Sequence, residues 1–540
     1  MGHIMVKTLK YGFYTLLGLI ILIAIALFLM TTVIDANRFK QPLQSSMSMM
    51  IGRDVQIQGN IDWRIYPWLG LSAQKVAIAN PQAFDEKTFA TVESADLNIR
   101  LVPLIRGNIQ VANITLEKPM IKLIINAQGN NNWDDFGKEN QRPIEDQAIS
   151  QESTAESTDS ETESGYFDLG SIKIAEINLK QAQLILDNQQ TQQTVQLEDF
   201  NLFSKNIAFN QLIPLDLSFA FQATENNRTI LAGTLTFGGE LGIDEEIAQN
   251  QGSILDDIKL VGDIEIKPLA FEKLSIDNLS TKIDIEDNMI ILEPMQIDLY
   301  QGQANGSLII NLSKEVPFYA LSENIQNIQA GPLFADTTGT AHIDGTANAT
   351  LELSARGKDT KTIMDSLNGN IKFKFSEGEL LGVDVPYLIN WASAVLNQDT
   401  MPKQEADGKG TAFGILMGTA DIEDGMINNT ELNLTSSYYQ INGEGTVNLR
   451  DKAVDYKLQA EILNLDDDNP FQKIQQALGG NIPFVINGDI EQLRVQPDFP
   501  MIIQARAGSE IRVQVKELFD EDKLKEVSEK AKEILNRFTQ

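Results

Sequence analysis

Side chains that could carry chemistry are few, and their spacing supports no reaction. The chain holds two histidines, His3 and His342, and no cysteine. His342 has no second imidazole with which to share a metal, and the missing thiols exclude Cys nucleophiles, thiolate metal sites and disulfides. The sequence contains no G-x-S-x-G elbow, no phosphate-binding P-loop and no H-E-x-x-H helix. Acyl transfer, nucleotide hydrolysis and zinc hydrolysis each need one of those spacings, because nucleophile, phosphate cradle or metal must meet a fixed set of groups. Asp466, Asp467 and Asp468 place three carboxylates together, but they lack the spaced oxygens and the glycine of an EF-hand loop. They read as a solvated turn ahead of a helix beginning at Asn469-Pro470. Acidic pairs carry no information here, since 75 Asp and Glu stand against 43 Lys and Arg, a formal charge of −32. That charge repels polyanions and argues against nucleic acid as a partner. The expectation is a binding or structural protein, not an enzyme, with no cofactor.

The elements that would position any functional group begin with residues 11–34, a run without a charged side chain. At about 1.5 Å per residue it spans roughly 35 Å as a helix, enough to cross a bilayer core. It ends in Phe28, Leu29 and Met30 rather than in a small-x-small cleavage site, so it reads as an uncleaved anchor and not as a signal peptide. Lys7 and Lys10 before it are balanced by Arg38 and Lys40 after it; the short leader, residues 1–10, favours a cytoplasmic N-terminus. Arg38 to Met50 places Phe39, Leu43, Met47 and Met50 three or four apart, which predicts a short amphipathic helix stopped by Gly52.

From Val55 the period changes to two. Val55, Ile57, Gly59, Ile61 and Trp63 alternate with Gln56, Gln58, Asn60 and Asp62, the pattern of a strand with one apolar face. The alternation returns at Ile114–Leu116 and Ile121–Ile125, so residues 35–136 read as antiparallel sheet. Residues 137–165 are polar and acidic and bury too little to offset the entropy of ordering, which predicts a disordered linker or exposed loop. Strands resume over 166–364, with Leu184, Leu186, Ile283, Ile285, Ile297 and Leu299 on apolar faces. Asn226-Asn227, Glu286-Asp287-Asn288 and Asn368-Gly369-Asn370 read as turns between them. Helices are predicted over Thr360–Leu367, Asp384–Leu396 and Pro470–Leu478. Within 501–540, Val515 to Phe538 forms an amphipathic helix striped by Leu518, Leu524, Val527, Ile534 and Phe538.

Two blocks of this chain resemble the AsmA family of Gram-negative envelope proteins. The first carries Gly52-Arg53-Asp54-Val55, Trp63 through Tyr66-Pro67-Trp68, Asn80-Pro81 with Phe84, Leu101 through Gly107, and Gly129 to Trp133. The second, within 365–500, carries Gly378, Gly382-Val383-Asp384-Val385, Thr411 with Phe413, Leu432 through Gly443 to Leu449, and Ile482-Pro483-Phe484 to Gly488. The resemblance implies a long, curved, groove-like antiparallel sheet with an apolar concave face. It also implies a single-pass inner-membrane protein with its bulk in the periplasm, moving phospholipid between inner and outer membranes and supporting outer-membrane biogenesis. Its partners would then be the phospholipid membrane, phospholipid acyl chains and outer-membrane or envelope proteins. The lipid-facing residues would be Leu184, Leu186, Ile283, Ile285, Ile297 and Leu299. Trp63, Tyr66 and Trp68 are candidates for the membrane interface, or else for packing at the base of the sheet. The competing reading is a periplasmic scaffold or assembly factor for outer-membrane proteins that carries no lipid.

The orientation has a direct check: a reporter active only in the periplasm, fused after Gln540, is expected to be active. Activity from a cytoplasmic reporter alone would reverse the assignment.

Overall fold

The computed structural model describes residues 35–64, 69–100, 111–135, 174–244, 254–385, 387–390, 400, 410–463, 472, 475, 476, 478–490, 492–498, 500 and 501. The predicted anchor at 11–34, Tyr66, Trp68, the acidic segment 137–165, Asp466 to Asp468 and the C-terminal helix at 515–538 lie outside them. So does most of the helix predicted at Pro470. The chain divides into two compact units, Met1–Asn288 and Met289–Gln540, and each is taken alone.

In the first unit a 3-10 turn, Ala36–Phe39, leads into α1, Lys40–Ile51. Gly52 ends the helix as its sequence position predicts, in the left-handed conformation (φ 79°) that glycine adopts without steric cost. Leu43, Met47 and Ile51 of α1 pack on Val55, Ile57, Ile61 and Val76. The single strand expected from Val55 to Trp63 is broken into Val55–Ile57 and Ile61–Arg64, both antiparallel to Leu69–Ala79. The break is a bulge: from Ile57 to Ile61 the chain takes four steps where its partner takes three, from Val76 to Ala73, and the close approach there leaves room for glycine only, since a Cβ on Gly59 would lie 2.7 Å from the Cβ of Gln74.

The expected antiparallel sheet is mixed in one place. Val111–Glu117 and Met120–Ile125 run parallel to Ile174–Asn188. Parallel neighbours cannot be joined by a tight turn, and the connection between them, residues 126–173, contains the acidic segment. From Ile174 to Glu286 the strands Ile174–Asn188, Gln193–Ile207, Leu212–Glu225, Arg228–Ile243, Ile258–Phe271 and Asn278–Glu286 are each antiparallel to the next. Asn226 and Asn227 form the predicted turn, both with positive φ.

A polar network ties α1 to the far side of this first sheet. Buried Arg53, just past the helix, donates from Nε to Asp135 Oδ2 (2.9 Å) and from a terminal nitrogen to the Asn132 carbonyl (2.5 Å). Its guanidinium lies 4.4 Å from the Phe89 ring centroid. Asn132 is fully buried; its Oδ1 accepts from the Ile124 N–H (2.8 Å), and its Nδ2 donates to Asn80 Oδ1 (2.9 Å) and the Lys122 carbonyl (2.8 Å). Three stretches that carry the family resemblance, around Gly52-Arg53, Asn80-Pro81 and Gly129 to Trp133, thus meet in one place.

The second unit has eleven strands among its described residues. They begin with Met289–Leu299, Gly302–Asn311, Phe318–Gln329, Ile343–Arg356, Asn368–Leu380 and Thr411–Glu423. Met426–Thr435, Tyr439–Asn448, Ala453–Ile462, Ile482–Asp489 and Gln492–Pro497 complete them, and each is antiparallel to the next. A helix that periodicity did not predict, α2 (Ala330–Thr338), follows the third of these. Gly331 and Pro332 disguise it, yet both fall in the first turn, where proline costs nothing. Helix α3, Thr360–Asp365, is capped by Asp359 Oδ1, which accepts from the Thr362 N–H at 2.8 Å. It stops short of Leu367, and Asn368-Gly369-Asn370 opens a strand instead of making a turn, with Gly369 paired to Leu353 and Ile422. Asp384 caps the next helix as predicted, accepting from the Tyr387 N–H at 2.9 Å.

Replacing Asn132 by Ala removes three buried hydrogen bonds and leaves their partners unsatisfied, a local cost of about 2 kcal/mol. Amide exchange at Ile124 should accelerate by roughly thirtyfold. An unchanged rate would show that the network does not hold this region.

Candidate functional site

Residues paired across neighbouring strands project to the same face, so the register can be read as rows of side chains. In the first unit one row runs Trp63, Leu71, Leu97, Ile114, Ile177. The alternate positions give Asp62, Ser72, Asp96, Thr115, Asn178. One face is apolar and the other polar, strand after strand. Leu184 lies in the row Ile121, Leu184, Leu197, Phe221, Gly233, Leu269, and Leu186 in the row Leu123, Leu186, Val195, Ala223, Leu231, Phe271. Ile283 pairs with Gly262 and Ile285 with Leu260 at the last strand of this unit. The strands thus bring four of the named apolar residues onto one face.

Aromatic rings fill this face where glycine leaves space. Phe200 stacks on Phe219 with centroids 5.5 Å apart. Buried Phe237 lies over Gly239 and Gly262, where an added Cβ would come within 2.7 and 2.6 Å of its ring. The face is not fully covered. Helix α1 shields its first strands, with Trp63 half-buried in that cluster and edge-on to Phe39 at 6.0 Å. Further along, Leu97 is 49% exposed, Val195 39% and Phe271 55%. Leu184 and Leu186 are half-buried, and Ile283 and Ile285 are buried.

The second unit repeats the arrangement. Leu292, Leu308, Leu321 and Leu353 form one row, and Ile297, Ala304, Ile325, Ala349 and Phe373 another. Ile297 and Leu299 are half-buried, Leu299 beside Gly302. Toward the last strands the same face closes into a core: Leu416, Leu434, Ile441, Ala460 and Ile482 pack beneath Val385 and Ile389.

One residue breaks the apolar pattern of this second face. Glu323 stands in the row Met295, Gly306, Glu323, Leu351, Ile371. It is 7% exposed, and neither carboxyl oxygen has a hydrogen-bond partner among the described residues. Burial without compensation disfavours the charged form and pushes its carboxyl up from 4.5 to about 7. Other polar groups on the same face are satisfied: Tyr456 donates to Asn429 Oδ1, and Asn429 donates to the Thr419 carbonyl. Burial also pushes the Tyr456 hydroxyl up to about 12. Sequence reasoning passed over Glu323, although Leu321, Glu323 and Ile325 share one parity and the signal was a carboxylate in an otherwise apolar alternation.

These features define a large, mainly β protein whose strands present an apolar side. Among the described residues no three His, Asp or Glu side chains could hold a metal together, and no helix is long and apolar enough to cross a membrane. The chain belongs to the AsmA family, whose profile matches residues 5–237 and 241–432 and so also covers the middle region that carries none of the motifs quoted above. It is 27% identical over 126 residues to AsmA family protein YhjG of Escherichia coli (strain K12), a match covering 21% of this chain and 18% of that protein. The matched stretch is less than a fifth of that relative's length. No solved structure matches the chain. Members of the family are envelope-associated, and the match indicates no catalytic family.

Glu323 makes stability depend on pH with a definite sign. Because its folded carboxyl holds its proton to higher pH than the unfolded one, the native state binds more protons between about pH 4.5 and 7, and stability falls as pH rises through that window. The loss is at most roughly 3 kcal/mol. Glu323→Gln should flatten this part of the stability profile, measured by denaturant unfolding. An unchanged slope would mean that the carboxyl is not held in an apolar site.

Proposed function

We propose that the protein is held in the inner membrane by residues 11–34 and that its β body, in the periplasm, shields phospholipid acyl chains in transit between the inner and outer membranes, supporting the outer membrane. The observation that carries this reading is the one-sided register, which lines up apolar side chains over many strands and leaves Leu97, Val195 and Phe271 in contact with solvent. A row crossing six strands at about 4.8 Å each extends about 24 Å, longer than the roughly 15 Å hydrocarbon depth of one bilayer leaflet. An extended acyl chain therefore fits along a single row, and each methylene it buries contributes about 0.8 kcal/mol. The alternate positions carry polar side chains instead, such as Asp62, Ser72 and Asp96. Membership of an envelope-associated family supports the location.

Leu184→Asp with Leu186→Asp places two carboxylates in adjacent rows. The purified double variant should fold, by its far-ultraviolet circular dichroism, yet lack the phospholipid expected to copurify with the parent protein. A folded variant carrying the same lipid would remove these rows from the conduit. A parent protein free of lipid but bound to envelope proteins would favour the scaffold reading.

A further inference from the structure

Lipid carriage explains an apolar face; it does not explain a carboxyl group buried in that face. Glu323 has two features that set it apart from a residue tolerated by accident. Its carboxyl is enclosed but unpartnered, so it weakens the fold, and a leucine there would continue the pattern of Leu321 and Ile325. It also faces a glycine. Gly306 is its register partner, and a Cβ there would meet the backbone carbonyl of Ser322 at 1.8 Å as well as the carboxyl carbon of Glu323 at 2.8 Å. The close approach of the Ser322 backbone requires glycine at 306, and the space that glycine leaves borders the Glu323 carboxyl.

We propose that Glu323 is the polar anchor of an amphiphile subsite on the apolar face of the second unit, and that it selects a lipid whose headgroup carries a primary ammonium. The inference rests on the lipid-carrying reading and adds to it a headgroup class. Charge complementarity identifies the occupant. An ionised carboxylate only accepts hydrogen bonds, and an ammonium brings three donors and the opposite charge. A purely anionic headgroup would set like charge beside it, and a hydroxyl headgroup would leave the buried charge unneutralised. The hydrocarbon has a bed on either side of the anchor, since Leu308 and Leu321 lie in one flanking row and Ile325 and Phe373 in the other, all of them half-buried.

Among the described residues no charged side chain is a register neighbour of Glu323 on its face. The register neighbours of Glu323 on its own face are Gly306, Met295, Leu351 and Ile371. The charged residues nearest it in the register, Glu352 and Lys372, occupy alternate positions and are exposed on the other face. Selection therefore follows the ionisation of one group: weak at pH 5.5, where the carboxyl keeps its proton, and strong at pH 8, where it is charged.

The test uses the full-length protein, incubated with vesicles of equimolar phosphatidylethanolamine and phosphatidylglycerol of identical acyl chains, re-isolated, and its bound lipid measured by mass spectrometry. At pH 8 the parent should enrich phosphatidylethanolamine at least about fivefold over the vesicle ratio, and at pH 5.5 the enrichment should vanish. Glu323→Gln and Glu323→Leu should bind the same total lipid at the vesicle ratio at both pH values. Glu323→Leu, which removes the buried charge, should fold at least as well as the parent. Variants that retain the parent's enrichment, or a parent that enriches neither lipid while binding both, would overturn the anchor and leave lipid carriage standing. Total lipid no greater than residues 11–34 retain alone would overturn lipid carriage, and the anchor with it.

Discussion

Everything in this protein depends on one geometric constraint: in a sheet, side chains alternate between faces, and residues paired across strands share a face. A slip of one residue in any pairing would send that strand's apolar set to the polar side. The turns guard against this. Glu225 pairs with Arg228 across Asn226-Asn227, and Leu299 with Gly302 across Tyr300-Gln301, in two-residue turns with both central φ values positive. Such turns follow the right-handed twist of the strands they join and admit one register. Where a strand gains a residue, as at Leu179 to Leu184, its neighbour shifts at the corresponding place, and Leu179 and Leu184 remain in apolar rows with Leu202 and Leu197.

Polar groups on the buried side of these sheets fall into two kinds. Asn132 in the first unit and Asn429 in the second are buried and hydrogen-bonded, the latter to half-buried Tyr456, and Arg53 is held through Nε and one terminal nitrogen. They fix geometry, since breaking one partner exposes the desolvation cost of the other. Glu323 is of the other kind, enclosed without a hydrogen-bond partner among the described residues. A group that costs stability and holds nothing in place is explained by what it meets from outside, and on an apolar surface that is an amphiphile.

The parallel pairing in the first unit has a topological consequence. Hairpins can lay down any number of antiparallel strands, but placing Ile174–Asn188 parallel to Val111–Ile125 needs a long connection. The acidic stretch at 137–165 belongs to that connection. Its composition is poor in large apolar residues.

The sequence by itself determined the class of structure, the absence of any recognisable catalytic constellation and the polarity of the strands, because period-two alternation is a local property that no later packing reverses. It also determined local stops and caps, at Gly52, Asp384 and Asn226-Asn227, where a backbone angle or one side-chain hydrogen bond decides the matter. Tertiary structure decided the rest. The parallel pairing was invisible, since a strand's own residues do not record the direction of its neighbour. Gly59 and Gly369 were misread because the distance of the partner chain, not the local pattern, sets what glycine does there. Helix α2 was hidden by Gly331 and Pro332, harmless only because they fall in its first turn. Glu323 was legible as a residue of the apolar parity, but its isolation was not: whether a buried carboxyl has a partner depends on which side chains four neighbouring strands bring beside it, and only the register settles that.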